Sequence, residues 1–461
     1  MAKYKKSLVW IRRDLRLLDH AALSAASQQS EYMAVVFVFD TEILKKLKNK
    51  KDSRVNFIFE SLQELDHELK KAGSQLIILK GNPTLEIPKL IKELNFDALF
   101  YNEDYEPYAI KRDSKVKDIL AKEKIPSFSS KDHVIFSGTE VLKKDLSPYQ
   151  VFTPYKNAWL KKLSTIDIKI RPVKKNYLPS KNLTSVLTPL TIKELGFEKT
   201  DVFYDFQKPG RKNGVKHLKD FSKSIKQYKN DRDFPWLMGT SGLSTHLRFG
   251  TVSIRECVRM CLQLKSIGAH TWLSELIWRD FYQMILLQFP HVTSRAFKEK
   301  YSTLNWPGSN KHLKAWCDGK TGYPIVDAAM RQLNTTGWMH NRLRMVTASF
   351  LTKDLLINWQ EGEAYFAEKL LDFDLASNNG GWQWSASTGC DAQPYFRVFN
   401  PELQSKKFDP EGVFLRKWLP ELKSCSSKEI HKPIDVDGYP KQIVEHQDQK
   451  ALAIELFKKS H

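Results

Sequence analysis

The residues best suited to chemistry lie in one short stretch, 372–384, which reads Asp-Phe-Asp-Leu-Ala-Ser-Asn-Asn-Gly-Gly-Trp-Gln-Trp. Two carboxylates are followed by paired asparagines, by paired glycines that let the backbone approach a neighbour closely, and by two tryptophans. Because asparagine and glycine are poor helix formers, the sequence predicts that 378–381 is not part of a packed helix. A flat, hydrogen-bonding ligand beside an electron-rich aromatic ring would explain the whole stretch. A polar turn between two helices is the simpler interpretation of the stretch alone.

Two predicted helices carry polar and aromatic residues that share one face. The first set is Glu275, Trp278, Arg279 and Tyr282, and the second is Trp338, Asn341, Arg342 and Met345. Spacings of three and four residues place such side chains next to one another, so each face could line a polar aromatic pocket. A surface Glu–Arg pair beside core tryptophans explains the first set equally well. A helix start capped by Asn341 explains the second.

A hydroxyl-rich turn, Thr-Ser-Gly-Leu-Ser at 240–244, precedes another predicted helix. Hydroxyls and free backbone N–H groups at such a place can bind phosphate, although a simple helix cap is the plainer alternative. No His/Cys cluster has the spacing of metal ligands, and neither a Gly-x-Ser-x-Gly nor a Walker-type loop is present. The sequence therefore predicts no metal site.

The chain is basic: 73 Lys and Arg against 53 Asp and Glu give a net charge of +20. Such a charge favours a polyanionic partner such as nucleic acid, although solvated surface lysines are an alternative. The five cysteines form no Cys-x-x-Cys pair, which indicates a reducing, intracellular compartment. No apolar run is long enough to span a membrane, and the basic N-terminus does not lead into a signal peptide.

Short apolar runs alternate with amphipathic ones in the first part of the chain. Strands are predicted at 8–11, 34–39, 75–79 and 98–101, and helices at 19–30, 55–72, 85–94 and 110–122. This alternation predicts an α/β, Rossmann-like parallel-sheet domain over residues 1–130. The Gly-x-Gly-x-x-Gly fingerprint of dinucleotide-binding domains does not follow the first strand.

A long connector, punctuated by prolines, is predicted over residues 131–200. An all-α domain is predicted over residues 201–461. Its clearest helical stretches are 214–229, 252–264, 272–288, 323–335, 341–355 and 364–371.

Taken together, these stretches resemble the photolyase/cryptochrome family, most closely the bacterial class I photolyases of cyclobutane pyrimidine dimers. The similarity runs from 8–16 to 418–422, and its most specific parts are 239–244, 275–278, 336–345 and 378–384. The resemblance implies that the all-α domain binds FAD noncovalently, with Arg344 paired to Asp372 and Asn378 facing the flavin N5. The implied cofactor-binding residues are Tyr228, Thr240, Ser241, Gly242, Leu243, Ser244, Trp272, Arg279, Trp338, Arg344, Asp372, Phe373, Asp374 and Asn378.

The resemblance also implies light-driven repair of ultraviolet-damaged DNA, in which the damaged dinucleotide is flipped out of the duplex. Trp278 would stack on a flipped pyrimidine, while a protonated Glu275 and Asn341 would bond to the pyrimidine edges. The implied catalytic residues are Glu275, Trp278, Asn341, Met345 and Asn378, and the electron relay is Trp306, Trp359 and Trp382. The implied DNA contacts are Arg232, Glu275, Trp278, Tyr282, Asn341, Arg342, Arg397, Gln404 and Lys407. Trp384 receives no role.

An antenna chromophore is expected, but its identity stays open between methenyltetrahydrofolate and a deazaflavin. The residues of the segments 105–109 and 293–295 differ from those that folate-binding members have there. A cryptochrome is the main rival, and Asn378, Trp278, Glu275 and Met345 count against it. A DASH-type enzyme acting on single strands is a second rival, which Trp278 and Met345 disfavour. We further expect a cytoplasmic monomer that has no membrane association.

Overall fold

A computed structural model describes residues 2–187, 190–200 and 207–459 of the protein. An α/β half comes first and a helical half follows, so the predicted fold class is confirmed. Residues 201–206, which open the predicted all-α domain, lie outside the described residues, as do 188–189 in the predicted connector. The exact domain boundaries stay a prediction.

A five-stranded parallel sheet forms the centre of the α/β half, in the order β3-β2-β1-β4-β5. The strands are β1 Tyr4–Ile11, β2 Ser30–Asp40, β3 Leu76–Gly81, β4 Ala98–Asn102 and β5 Ser127–Ser130. The four predicted strands are all present. The sequence missed β5 because its Ser-Phe-Ser-Ser has no apolar run.

The sheet buries both of its faces, which explains why its strands read as continuous apolar runs. Along β1, Val9 and Ile11 point into one core, while Leu8 and Trp10 point into the other. Helices cover each face. The helices of this half are α1 Ala21–Gln29, α2 Thr41–Leu44, α3 Ser53–Lys71, α4 Pro83–Leu94 and α5 Pro107–Lys122.

The predicted connector is more ordered than a plain link. It contains helix α6, Phe152–Lys162, and it pairs with the sheet through a bridge between Tyr177 and Met33. Helix α6 packs against the helix Ile267–Gln288 of the helical half. Its helical spacing was missed because prolines dominate the segment around it.

Helices build the second half. They are α7 Arg211–Ser224, α8 Tyr228–Asp231, α9 Ser244–Arg248, α10 Ile254–Leu264, α11 Ile267–Gln288, α12 Asn310–Cys317, α13 Pro324–Thr336, α14 Asn341–Ser349, α15 Trp359–Lys369, α16 Leu375–Ser385, α17 Pro401–Phe408, α18 Val413–Trp418 and α19 His446–Lys458. A π-helical turn, Phe350–Asp354, continues α14.

A buried cluster of charges joins the two halves. Asp132 accepts from Arg16 at 2.5 Å and from Arg255 of α10 at 2.8 Å. Asp19 accepts from Arg255 at 2.8 Å and from Arg259 at 3.0 Å. Burial alone would raise the pKa of Asp132, but the two guanidinium groups hold it well below its usual value. Each carboxylate is thus ionised and multiply bonded, which fixes the position of α10 against the sheet.

Candidate active site

The helical half encloses a cavity of about 490 Å³, which is within the range of small-molecule sites. Its walls come from α8, the turn 240–244, α11, α14 and α16. All the predicted cofactor residues line it: Tyr228, Thr240, Ser241, Gly242, Leu243, Ser244, Trp272, Arg279, Trp338, Arg344, Asp372, Phe373, Asp374 and Asn378. The fold thus brings together stretches that are far apart in the chain.

Most of the predicted substrate residues line the same cavity. They are Arg232, Glu275, Trp278, Tyr282, Asn341, Arg342 and Met345. Arg397, Gln404 and Lys407 are not in the lining. Arg397 and Lys407 are exposed, and Lys407 places its Nζ 5.2 Å from the ring of Phe408. Their contact with DNA stays a prediction.

The expectation that 378–381 would be non-helical is wrong, because these residues lie inside α16. Gly380 packs so closely on Tyr282 of α11 that a Cβ would lie 2.1 Å from the tyrosine ring. Asn379 donates to the carbonyl of Val292 at 2.8 Å and to Glu363 at 2.9 Å. Tertiary contacts therefore outweigh the poor intrinsic helix propensity of these residues.

The two aspartates of the opening stretch differ in their bonding. Asp372 is buried and accepts from Arg344 at 2.8 Å through Oδ2. Its Oδ1 has no hydrogen-bond partner among the described residues. A buried carboxylate oxygen without a partner is costly, and a donor on a ligand of the cavity is one group that could complete it.

Asp374, by contrast, is fully engaged. It accepts from Arg13 of the α/β half at 2.5 Å, from Gln283 at 3.1 Å, and from the backbone N–H of Ser377 at 3.0 Å, which caps α16. Burial opposes its ionisation, but Arg13, Arg248 and Arg279 together lower the pKa of Asp374 well below its usual value. Asp374 therefore holds the cavity wall to the α/β half.

Glu275 is a hydrogen-bond acceptor in this structure. Its Oε1 accepts from Arg232 at 2.5 Å, and both side chains line the cavity. Arg232, more than forty residues away in sequence, thus supplies the partner of Glu275 in this structure. The role of Glu275 as a donor to a bound pyrimidine stays a prediction.

Helix α14 begins with His340 as its cap, because the His340 ring accepts from the N–H of Arg342 at 3.2 Å. Asn341, an alternative cap in the sequence, is exposed at the cavity instead. Arg342 pairs with Asp233 at 2.9 Å and lies 4.5 Å above the ring of Phe408. The cap thus directs a polar and cationic edge of α14 to the cavity.

The three predicted relay tryptophans differ in depth. Trp382 lines the cavity and is 2% exposed, Trp359 is 3% exposed, and Trp306 is half-buried beside the ring of Phe457 at 6.0 Å. Trp382 also has Phe366 at 5.0 Å. Two of them are thus buried and one is half-buried, and their relay function stays a prediction.

Two residues have no role assigned from the sequence: Trp384 of the cavity wall and Glu363, which bonds to α16. Trp384 lines the cavity together with Trp278, and its position two residues after Trp382 was the only signal for it. Glu363 of α15 accepts from Asn379, and its backbone carbonyl accepts from Asn378 at 3.2 Å. Burial raises the pKa of Glu363 to about 7. No local signal marks Glu363, since it reads as an ordinary surface glutamate of a helix.

Comparison with known proteins identifies the family. Family models match residues 7–175, described as DNA photolyase, and residues 272–459, described as the FAD binding domain of DNA photolyase. The deoxyribodipyrimidine photo-lyase of Vibrio cholerae is 40% identical over 98% of this chain and 99% of its own length. The chain belongs to the DNA photolyase family. The predicted resemblance is confirmed.

Solved photolyases share the complete architecture. A class III photolyase from Agrobacterium tumefaciens matches with a TM-score of 0.87 and 32% identity, covering 100% of this chain and 98% of its own. An archaeal photolyase from Sulfolobus tokodaii, solved with two FAD molecules, matches with a TM-score of 0.84 and 33% identity, covering 98% and 100%.

The residues of this photolyase-family chain fit FAD. The turn 240–244 offers hydroxyls, with Gly242 in the left-handed region at φ +62°, for a pyrophosphate. The Arg344–Asp372 pair offers a donor and an unused acceptor for the edge of a flat ring. A Cβ on Gly381 would meet no heavy atom within 4 Å, so α16 has open space beside it. Among the described residues, no acidic, histidine or cysteine cluster could hold a metal, and no helix is long and apolar enough to cross a membrane.

Proposed function

We propose that this protein repairs cyclobutane pyrimidine dimers in ultraviolet-damaged DNA, with FAD as the cofactor and light as the energy source. One observation carries the proposal. A single cavity is lined both by residues suited to FAD and by Trp278, Glu275, Asn341 and Met345, which suit a flipped dinucleotide. Cofactor and lesion would therefore share one enclosed space.

The cofactor residues would act as a cradle. The hydroxyls of 240–244 would bind the pyrophosphate, and Arg344 with Asp372 would bond to the edge of the flavin ring. Asn378 donates its Nδ2 to the carbonyl of Glu363, so its side-chain oxygen is the group it would offer to the flavin. When bound in reduced form, FAD supplies light-driven transfer of one electron to the dimer and accepts it back after the ring splits, so no net oxidation occurs.

The lesion residues would receive the flipped dinucleotide. Stacking on Trp278 offsets part of the cost of unstacking, which is a few kcal/mol and is smaller at a damaged step. Asn341 would bond to a pyrimidine edge. Glu275 would change partners from Arg232 to the base, which would free Arg232 for a phosphate. A charge of +20 supports binding to the DNA backbone.

The tryptophans Trp382, Trp359 and Trp306 would bring an electron inward to restore reduced flavin. Trp306→Phe is expected to block photoreduction of the flavin while sparing repair by enzyme that is already reduced. The measurement is flavin absorbance under illumination with an external reductant. Equal photoreduction in both proteins would remove Trp306 from the relay.

We also propose that an antenna chromophore occupies a groove of about 500 Å³ between α5 and the C-terminal part of α11. The groove is lined by Tyr105, Pro107, Ile110, Lys111, Ser114, Lys115, Leu286, Leu287 and Pro290. Apolar walls and two lysines suit a flat chromophore with an anionic tail. A folate and a deazaflavin remain candidates, and the second FAD of the Sulfolobus tokodaii structure adds a flavin. Mass spectrometry of the pigment released from the purified protein decides among them.

The decisive experiment is a repair assay. Purified protein with reduced FAD is incubated with ultraviolet-irradiated DNA under blue light, and the remaining dimers are counted against a dark control. We expect dimer loss only in the light. Unchanged dimer counts with FAD bound and reduced would contradict the proposal.

We expect the protein to act as a cytoplasmic monomer, which light scattering and cell fractionation test.

A further inference from the structure

The cavity residue Trp278 is stacked on a residue from the connector. Its ring and that of Phe152 are parallel within 8°, and their centroids are 3.7 Å apart. Phe152 is the first residue of α6 and is 6% exposed, while Trp278 is half-buried and lines the cavity. Phe152 therefore supports, from behind, a ring that lines the cavity.

Two further contacts hold helix α6 against α11. One turn and then two turns further along α6, Tyr155 packs on Phe281 at 5.2 Å and Trp159 donates to Asp280 at 3.0 Å. Both partners lie on α11, the helix that carries Trp278. The contact between Phe152 and Trp278 is thus the last of a row of contacts between two helices.

The segment after α16 joins the same point. The backbone N–H of Phe152 donates to Asp391 Oδ2 at 3.0 Å, and Asp391 lies in a turn six residues beyond the end of α16. A carboxylate at this place caps the start of α6, where backbone N–H groups lack partners within the helix. Phe152 is consequently tied to α11 and to the segment that follows α16.

A stacking platform works best when it is already ordered, because fixing a free side chain on binding costs conformational entropy. Besides Phe152, Phe281 meets Trp278 edge-on at 5.6 Å and Tyr282 meets it tilted at 5.3 Å. Of these three rings, that of Phe152 is the one parallel to the indole, so it covers one face of the indole and restricts its tilting by direct contact.

We propose that Phe152 is a positioning residue for lesion binding, which holds the Trp278 indole in the plane in which it stacks on a flipped pyrimidine. The inference rests on the proposed function, in which Trp278 receives the base. Phe152 itself contacts no DNA and acts through Trp278. The connector is thereby part of the active site.

A double-mutant cycle tests this inference. Phe152→Leu, Trp278→Ala and the double variant are compared with wild type for binding of dimer-containing DNA, each loaded with FAD. Phe152→Leu is expected to weaken lesion binding by about three- to ten-fold, in line with other aromatic pairs. In the Trp278→Ala background it is expected to change binding by less than about two-fold, because the residue through which it acts is gone. An equal effect in both backgrounds would overturn the inference.

Controls separate positioning from folding. Phe152→Tyr keeps the ring and should restore wild-type lesion binding, and Phe128→Leu, in a stacked pair with Phe100 of the sheet, should leave it unchanged. At saturating lesion the repair rate of Phe152→Leu should equal that of wild type, whereas the half-saturating concentration should rise. A fall in the saturated rate alone would contradict positioning.

Two further outcomes are informative. If Phe152→Leu loses FAD, the same cycle is run with Asp391→Ala, which keeps the ring but removes the cap of α6. Asp391→Ala is then expected to weaken lesion binding in wild type but not in the Trp278→Ala background. Equal weakening in both backgrounds would refute the inference. If wild type shows no light-dependent repair, or Trp278→Ala binds lesions normally, the proposed function fails at this site, independently of Phe152.

Discussion

Arginine and aspartate meet in two buried places in this molecule, and their bonding differs. At the junction of the two halves, both oxygens of Asp132 and both oxygens of Asp19 accept hydrogen bonds. In the cavity, Asp372 Oδ1 and Arg342 Nε have no partner among the described residues. The same two residue types are therefore saturated in one region and open in the other.

The two regions differ in their capacity to bind a ligand. A fully paired buried charge has no capacity left for a ligand, whereas an unpaired one is costly until a donor or acceptor completes it. Asp374 shows that position alone does not decide, because it lines the cavity yet is saturated by Arg13 and its other partners. An unpaired atom alone does not mark a ligand site either, because Asp280 and Asp354 each have an oxygen without a partner among the described residues and do not line the cavity.

The largest effect is expected at the saturated junction. Asp132→Ala would leave Arg16 and Arg255 buried without their carboxylate, which costs about 3–5 kcal/mol of unfolding free energy. Urea denaturation measures this loss. The exposed Asp118→Ala should change stability by no more than about 0.5 kcal/mol. A small loss for Asp132→Ala would show that the junction charges are not structural.

Trp278→Ala should affect the open region alone. Loss of base stacking is expected to weaken binding of damaged DNA by about 1–3 kcal/mol, while FAD stays bound and binding of undamaged DNA is unchanged. Titration with both DNAs and the flavin spectrum measure the effect. Release of FAD would instead mean that Trp278 belongs to the cofactor wall.

Asp372 and Asp374 provide the sharpest matched pair. Asp372→Asn should weaken FAD binding by about 1.5–3 kcal/mol, since a charged hydrogen bond is lost. Asp374→Asn should destabilise the FAD-free protein more than Asp372→Asn does, because it weakens the buried link to Arg13, whereas Asp372 pairs with the half-buried Arg344. Flavin titration and urea denaturation of both variants separate the effects. Identical behaviour of the two would remove the distinction between them.

The salt dependence of DNA binding tests whether Arg342, in the cavity, contacts a phosphate. If its guanidinium binds a phosphate, Arg342→Gln should reduce the slope of log affinity against log salt by about 0.9. Arg331→Gln, which breaks a surface pair with Glu421, is the control and should leave the slope unchanged. Binding is measured at several salt concentrations. An unchanged slope in Arg342→Gln would mean that this residue contacts no phosphate.

The smallest effect concerns Glu363, which retains some access to water. Burial raises its pKa from 4.5 to about 7 on folding, so its protonated form is the one that the fold favours. The contribution of Glu363 to the free energy of unfolding should therefore be largest below about pH 4.5. It should be lost as the pH rises through 7. Glu363→Gln should flatten this part of the profile, measured by thermal unfolding from pH 4.5 to 8. A profile equal to wild type would show that Glu363 titrates normally.

The sequence by itself determined the parallel sheet and the identity of most cavity residues. Short continuous apolar runs that alternate with helical patterns indicate strands buried on both faces, and β5 was not predicted because it lacks such a run. The cavity residues were recognised because their motifs occur in one order along the chain. Both inferences rest on the pattern of residues along the chain and use no interatomic distance.

Only the tertiary structure decided which of these groups are open and which are occupied. Residues 378–381 became helical because Tyr282, Val292 and Glu363 supply the packing and hydrogen bonds that local propensity lacks. Asp372 and Asp374 look alike in sequence, yet only Asp374 meets Arg13 from the other half of the molecule. In the sequence Phe152 belongs to the predicted connector, and only the fold brings its ring onto Trp278. In each case the deciding partner is remote in the chain, and a partner of that kind leaves no trace in local sequence pattern.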